Sequence, residues 1–184
     1  MARYSALDRT RLDGRQAEVF DAILAGPRGA VLAPHHLLLR SPELADHSQK
    51  MGAFLRYGTR LGSRLSELVI LLTARHWSCR YEWEHHEPIA RRAGLADDII
   101  EAIALRQLPD FKTDDERHVY EVCIACLSAK PVPEPCFTAV TGQFGEGGLV
   151  EAIGLVGYYS MLAMLLNAFE TPAEGSSRYM ITPE

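Results

Sequence analysis

Residues 63–77, Ser-Arg-Leu-Ser-Glu-Leu-Val-Ile-Leu-Leu-Thr-Ala-Arg-His-Trp, decide the fold of this chain. Their apolar side chains recur at helical spacing and cover much of the circumference of a helix. A helix with so wide an apolar face needs neighbours on several sides. The sequence therefore predicts that this helix is buried on several sides. The apolar residues concerned are Leu65, Leu68, Val69, Leu71 and Leu72.

Helices are predicted along most of the remaining chain, with breaks where glycine and proline cluster. No stretch alternates polar and apolar residues as a half-buried strand would, so the predicted fold class is all-α. Segment 32–40 contains Pro34 and is expected to be an irregular connector. The predicted helices cover residues 14–24, 42–57, 63–77, 79–93, 97–106, 113–129, 136–144 and 149–169.

Local signals mark the ends of several helices. Ser41 followed by Pro42 is typical of a helix start, with serine as the N-cap and proline at the first helical position. Gly94 is expected to end a helix, and residues 113–116, Thr-Asp-Asp-Glu, form a capping-box pattern. The helix that begins at Pro42 is expected to bury Leu44, Met51, Phe54 and Leu55.

The chain has the length and composition of one soluble domain. Its 184 residues are 47% hydrophobic, which is enough for a core without disulfides or metal ions. Residues 1–170 are predicted to form a single helical domain, and residues 171–184, rich in proline, glycine and serine, a flexible C-terminal tail. The apolar segment 149–169 is interrupted by Glu151 and by glycines, which favours a buried helix over a membrane span.

Composition also limits the partners and the location. The formal net charge of −5 argues against a protein that binds nucleic acid electrostatically. The N-terminal residues lack the apolar core of a signal peptide, so the four cysteines are expected to be reduced thiols in the cytoplasm. No phosphate-binding or nucleotide-binding motif is present, and no organic cofactor is predicted.

Reactive side chains concentrate in residues 76–86, His-Trp-Ser-Cys-Arg-Tyr-Glu-Trp-Glu-His-His. Glu82 and His86 are four residues apart, so an acid and an imidazole share one helix face. Glu67 lies one helix upstream and is able to fold back toward them, and Cys79 borders the cluster. Carboxylates, an imidazole and a thiol near one pocket are the groups of proton-transfer chemistry. The residues expected to shape the pocket wall are Trp77, Tyr81 and Trp83.

These residues resemble the carboxymuconolactone decarboxylase family, which shares its all-helical fold with the alkylhydroperoxidases related to AhpD. The likeness covers most of the chain, from residue 29 to residue 169. It rests on residues 67–77, 81–87, 93–95, 111–117 and 147–162. The resemblance implies an AhpD-like fold, cofactor-free chemistry on a small molecule, and a homo-oligomer with its pockets near subunit contacts. The wide apolar faces of residues 63–77 and 149–169 agree with such an assembly.

One local pattern divides that family. Peroxidase members resemble a glutamate, then Cys-x-x-Cys, then a histidine; here Glu67, Cys79 and His86 match, but Glu82 stands at the second cysteine. A dithiol peroxidase needs a resolving thiol at that place. A glutamate followed four residues later by histidine resembles the decarboxylase branch, which removes carbon dioxide from a small lactone acid. The resemblance thus implies that His86, oriented by Glu82, moves the proton and that Glu67 is a second acid or base.

Three other interpretations of the cluster stay open. In the first interpretation, the protein is a thiol peroxidase that uses Cys79. In the second, it is a family relative that binds a small molecule without turnover. Alternatively, Glu82 and His86 form only an exposed pair on a helix surface. In that case Glu67 makes a salt bridge with Arg64 or Arg75.

The remaining cysteine and histidine patterns predict structural roles. Cys123 and Cys126 form a Cys-x-x-Cys pair well inside a predicted helix, where buried packing is expected, and Cys136 is expected to be structural too. Glu82 and His85 have the Glu-x-x-His spacing of di-iron bundles, but no second copy exists, so no metal site is predicted. His85 itself is expected to be structural or to lie at an interface.

Overall fold

The computed structural model describes residues 3–173, 175, 177–179 and 181. These residues contain eight α-helices and no β-strand, which confirms the predicted all-α class for the described part of the chain. The helices are α1 (Gly14–Ala25), α2 (Ala33–Leu38), α3 (Pro42–Tyr57), α4 (Gly62–His76), α5 (Arg80–Arg92), α6 (Asp97–Ala104), α7 (Asp114–Leu127) and α8 (Glu134–Ala168).

Helix α4 lies at the centre of the fold. Every residue from Leu65 to Ala74 is buried, because α5, α7 and α8 pack against this helix and α3 and α6 cover its remaining sides. The predicted burial on several sides is therefore confirmed. The wide apolar face of α4 is covered within the chain, so it is not available as a subunit contact.

A short turn joins α4 to α5 and makes the two helices a hairpin. Ser78 adopts the left-handed conformation with φ of 47°, and the Cys79 N–H donates to the Ala74 carbonyl at 2.8 Å. Helix α5 begins directly after Cys79 and ends before Gly94, whose φ of 91° gives the left-handed residue expected at that end. The hairpin places the α5 side chains against the buried side chains of α4.

The prediction of an irregular connector at residues 32–40 is wrong, because α2 occupies its centre. Pro34 lies in the first turn of α2, where a missing N–H breaks no helical hydrogen bond. The His35 ring accepts the Leu32 N–H at 3.0 Å and so supplies a cap that the sequence did not suggest. Proline here starts a helix and does not disrupt one.

Helix α3 has its predicted bounds, but the prediction of its buried face is largely wrong. Leu44, Met51 and Phe54 are exposed, and only Leu55 of the four expected core residues is buried. The buried face instead carries small or polar residues, since a neighbouring tyrosine of α8 packs directly against this helix. Those buried residues are Ala45, Ser48, Gln49 and Gly52.

Helix α8 combines two helices that the sequence predicted separately. Gly145 has a non-helical conformation, with φ of 72° and ψ of 168°, at the predicted break between residues 144 and 149. Within the described residues, α8 is the one helix that is long and apolar enough to cross a membrane, judged by length and composition alone. Just over half of its most apolar stretch of 18 residues is buried against the rest of the chain.

The described part of the C-terminal tail lies against α5. The Trp83 indole N–H donates to the Ser177 hydroxyl at 3.1 Å, the Tyr179 ring meets the Trp83 ring edge-on, and Ile181 is buried. The sequence predicted a flexible tail from residue 171 onward. Part of that prediction, at residues 174, 176, 180 and 182–184, lies outside the described residues.

Candidate active site

Three side chains predicted for the site meet inside the protein. Glu67 projects from α4, and Glu82 and His86 project from one face of α5. Glu67 Oε2 lies 2.7 Å from His86 Nδ1, and Glu82 Oε2 lies 3.4 Å from His86 Nε2. All three residues are at most 3% exposed. A single imidazole thus lies between two buried carboxylates, so the exposed-pair interpretation of Glu82 and His86 is wrong.

The α4–α5 hairpin explains this convergence. The four-residue spacing brings Glu82 under His86 within one helix, and the short turn brings Glu67 of α4 to the other ring nitrogen. The Tyr159 ring of α8 meets the His86 ring edge-on, with centroids 5.2 Å apart. The imidazole is therefore held on three sides and has one defined orientation.

Burial controls the protonation of the groups around this imidazole. It raises the pKa of the Glu82 carboxyl, and the nearby charges of His86 and Arg56 only partly offset it. Burial also raises the pKa of the Tyr159 phenol well above its ordinary value. Glu82 therefore retains a proton at a higher pH than an exposed glutamate does, beside an imidazole that is able to accept or donate one.

A narrow cleft reaches Glu82 and His86 from the surface. Its free volume is about 30 Å³, so only a small group such as the carboxylate of a ligand enters it. Its walls come from the α1–α2 loop and from α2, α3, α5 and α8. The residues that line it are Arg28, Leu32, Pro34, His35, Arg56, Tyr81, Glu82, His85, His86, Tyr158, Tyr159 and Leu162.

Several of these residues were missed by the sequence interpretation. Arg28, His35, Arg56, Tyr158 and Tyr159 belong to segments far from residues 76–86, and no local pattern marks them. Only tertiary packing brings them to the cleft.

His85 also lines the cleft, although the sequence predicted a role away from the site. Its ring lies 5.0 Å from the His86 ring and stacks on Tyr81 at 6.4 Å. Burial, followed by the nearby positive charges of His86 and Arg56, lowers the pKa of His85 to about 3, so this imidazole is neutral at pH 7. The side chains of the two adjacent histidines point in different directions from the helix, but both line the cleft.

The other predicted site residues lie elsewhere. Cys79 is fully buried at the start of α5 among apolar side chains, and burial raises the pKa of its thiol to about 12. It does not line the cleft. Tyr81 is part of the cleft wall, whereas Trp83 lies in the core under the tail and Trp77 lies at the end of α4, where its carbonyl accepts a hydrogen bond from Asn167.

The alternative partners proposed for Glu67 are engaged with other groups. Arg64 pairs with Asp115 and Glu116 of α7, and the Arg75 guanidinium donates to the Ala104 carbonyl. The interpretation of Glu67 as a salt-bridge partner of either arginine is therefore wrong.

The remaining cysteines and candidate metal ligands are distributed as follows. Cys123 is fully buried, as predicted, while Cys126 is half-buried. Cys136 is buried and contacts the Glu121 carboxylate. Within the described ranges, no group of three or more histidine, cysteine or acidic side chains is arranged so that it could hold a metal ion.

Comparison of the sequence with protein-family models gives no matching family, and comparison with curated proteins gives no significant match. The side chains that meet at the cleft then indicate which chemistry the protein is able to perform. Those side chains are two carboxylates and an imidazole in one buried chain, with phenols, neutral imidazoles and guanidinium groups around the opening.

Proposed function

We propose that this protein is a cofactor-free acid–base enzyme, similar to carboxymuconolactone decarboxylases, that acts on a small carboxylic acid or lactone. The observation that carries the proposal is the buried chain Glu67–His86–Glu82, with one imidazole between two carboxylates. Buried titratable groups held in fixed mutual geometry at the end of a cleft are typical of proton-transfer sites.

The reaction needs a proton donor at carbon. Loss of carbon dioxide leaves the bonding electron pair on the substrate as an enolate, and that carbon then takes up one proton. Glu82 and His86 both line the cleft, and the raised pKa of Glu82 keeps a proton available there. Glu82 donates this proton to the carbon, and His86 returns one to Glu82 from solvent.

Glu67 acts through His86 and not on the substrate. It contacts Nδ1 of the imidazole and does not line the cleft, so it is a positioning residue that fixes the tautomer and orientation of the ring. The Tyr158 and Tyr159 phenols line the cleft, and burial raises the pKa of both. Their retained O–H groups are suitable donors to the enolate oxygen.

A thiol peroxidase fits this geometry less well. A peroxidase thiol must ionise and meet its peroxide, whereas Cys79 is fully buried, has a pKa raised to about 12 and lies outside the cleft wall. The residue four positions before His86 is a carboxylate that has no resolving function.

The experiment uses a panel of small lactone acids and carboxylic acids. Carbon dioxide release and exchange of carbon-bound hydrogen with D₂O are measured by NMR for the wild type, Glu82→Gln and His86→Ala. We expect each variant to lose about 100-fold or more of the rate, since this is the contribution of a positioned acid or base. Glu101→Gln, an exposed glutamate on α6, serves as the matched control and keeps the rate.

Two outcomes would contradict the proposal. If the wild type turns over no member of the panel, the protein is better described as a binding relative without turnover. If it consumes hydroperoxide with a dithiol reductant and Cys79→Ser abolishes this activity, it is a thiol peroxidase.

We further propose the AhpD-like fold, a cytoplasmic location and a homo-oligomer. The surface suited to self-association is on α8, where Val150, Ile153 and Met164 are exposed. Light scattering at micromolar concentration is expected to give a multiple of the 20.5 kDa chain mass. A monomeric mass, unchanged in Ile153→Asp, would contradict the assembly, and cell fractionation tests the location.

A further inference from the structure

Two arginines at the cleft differ from four other arginines of this protein in their partners. Arg28 comes from the α1–α2 loop and Arg56 from α3, and both line the cleft beside Glu82. Within the described residues, Arg28 donates to the Gln49 carbonyl at 3.4 Å and Arg56 lies over the Tyr57 ring, but neither forms an ion pair. By contrast, Arg60, Arg64, Arg80 and Arg91 each contact a carboxylate.

Positive charge at the cleft is therefore incompletely balanced. The one acidic residue in the cleft wall is Glu82, and it already faces His86 at 3.4 Å. The other titratable side chains in the wall are histidines and tyrosines, none of which supplies a negative charge at neutral pH. A half-buried guanidinium without an anion favours binding one, because the desolvated charge is then compensated.

Packing fixes the position of one of these arginines. A Cβ atom at position 52 would lie 2.7 Å from Nη2 of Arg28 and would collide with the Tyr158 hydroxyl, so only glycine leaves both side chains in place. Arg28 is thus held beside Gly52 of α3, where the Tyr158 side chain of α8 also packs against α3.

We infer that Arg28 and Arg56 bind a carboxylate of the substrate and hold the reacting carbon at Glu82 and His86. Guanidinium groups match the planar geometry of a carboxylate and bind it with paired hydrogen bonds. This inference rests on the proposed function for the identity of the reaction, but not for the binding of the anion itself.

The carboxylate bound by the arginines is one that the substrate retains. A carboxylate that departs as carbon dioxide loses its negative charge in the transition state, so strong pairing with arginine stabilises the ground state and slows that step. A retained carboxylate keeps its charge throughout, and its binding then contributes to orientation. The small free volume of the cleft further restricts the ligand to compact anions.

The test measures binding of malonate, a small dicarboxylate, by NMR titration of the histidine ring protons, without any turnover. We expect Arg28→Gln and Arg56→Gln each to raise the dissociation constant for malonate about tenfold or more. Arg56→Lys is expected to raise it less, since the charge is kept. Arg11→Gln, an exposed arginine outside the cleft, is the matched control and binds like the wild type. Far-UV circular dichroism and the melting temperature identify any variant that fails to fold.

The outcomes separate this inference from the proposed function. Glu82→Gln is expected to lose turnover but to bind malonate at least as tightly as the wild type, because it removes a neighbouring acid from the cleft. Unchanged malonate binding in both folded Arg→Gln variants would overturn the inference and leave the acid–base proposal intact. Equal weakening in Arg11→Gln would also overturn it, since the binding would then reflect only the overall charge.

Discussion

Two of the regions that contain buried glutamates differ in the partner that each region provides. In the first region, Glu116 of α7 contacts Arg64 and Glu151 of α8 contacts Arg60. Each of these carboxylates also accepts a backbone N–H, at 3.2 Å for Glu116 and at 2.7 Å for Glu151. A permanent cation and a backbone donor thus face each of these two carboxylates.

In the second region, beside the cleft, an imidazole takes the place of the arginine. Glu67 and Glu82 lie on opposite nitrogens of His86, and both acids are as buried as Glu116. An imidazole, unlike a guanidinium, is a side chain that both accepts and donates protons in enzymes.

The comparison shows that burial alone does not make a glutamate functional. Arginine does not give up its proton at accessible pH, so the ion pairs of the first region are suited to stabilising the fold. Histidine exchanges its proton, so the acids of the second region are suited to proton transfer. We therefore expect mutations in the first region to change stability and mutations in the second to change chemistry.

The largest expected change in stability is at Glu116. Glu116→Gln leaves Arg64 with Asp115 as its remaining carboxylate partner and is expected to lower the free energy of unfolding by about 2 kcal/mol, the loss of one charged hydrogen bond. Glu151→Gln is expected to cost less, about 1 kcal/mol, because Arg60 is 59% exposed and water replaces part of the lost interaction. Urea denaturation at pH 7 measures both.

Neither substitution should change the affinity of the folded protein for malonate. Neither should change the rate at which the folded protein exchanges carbon-bound hydrogen of its substrate with D₂O. If a variant that is fully folded in the assay lost malonate affinity or exchange activity, the two regions would not act independently. Equal stability losses at the two positions would contradict the role assigned to the exposure of Arg60.

A smaller effect of opposite sign is expected at Glu82. Burial raises the pKa of this carboxyl in the folded protein above its ordinary value of 4.5, so the folded state binds the proton more tightly than the unfolded state does. The wild type therefore loses stability as the pH rises from about 4.5 toward the raised pKa. Glu82→Gln removes this loss.

Thermal melts of the wild type and Glu82→Gln between pH 4 and pH 8 check this prediction. We expect similar stability at the acidic end and greater stability of Glu82→Gln at the neutral end. If the variant were less stable than the wild type at every pH, Glu82 would resemble the arginine-paired acids of the first region.

Features that depend on neighbouring residues were predicted well from the sequence. The bounds of α3, the left-handed Gly94 and the break at Gly145 all follow from the conformational preferences of proline and glycine. The shared face of Glu82 and His86 follows from the pitch of the helix. Pro34 was one exception, because proline is compatible both with a loop and with the first turn of α2. The capping box predicted at residues 113–116 was another, because the Thr113 side chain caps no backbone N–H and its hydroxyl contacts Asp115.

Features that depend on packing were predicted less well. Four apolar residues of α3 were assigned to the core, yet Leu44, Met51 and Phe54 are exposed, since Gly52 and the Tyr158 hydroxyl occupy the buried side. His85 was assigned away from the site, because helix geometry separates it from His86 but does not show where the cleft opens.

The sequence by itself determined that the chain is helical, that α4 is buried and that an acid and an imidazole share one face of α5. These properties depend on periodicity and on contacts within about one helical turn. Only the tertiary structure decided that Glu67 completes the buried chain, that Cys79 is sealed in the core and that Arg28 and Arg56 meet at the cleft. These residues belong to different helices and loops, and their distances are set by how those elements pack, which no local pattern encodes.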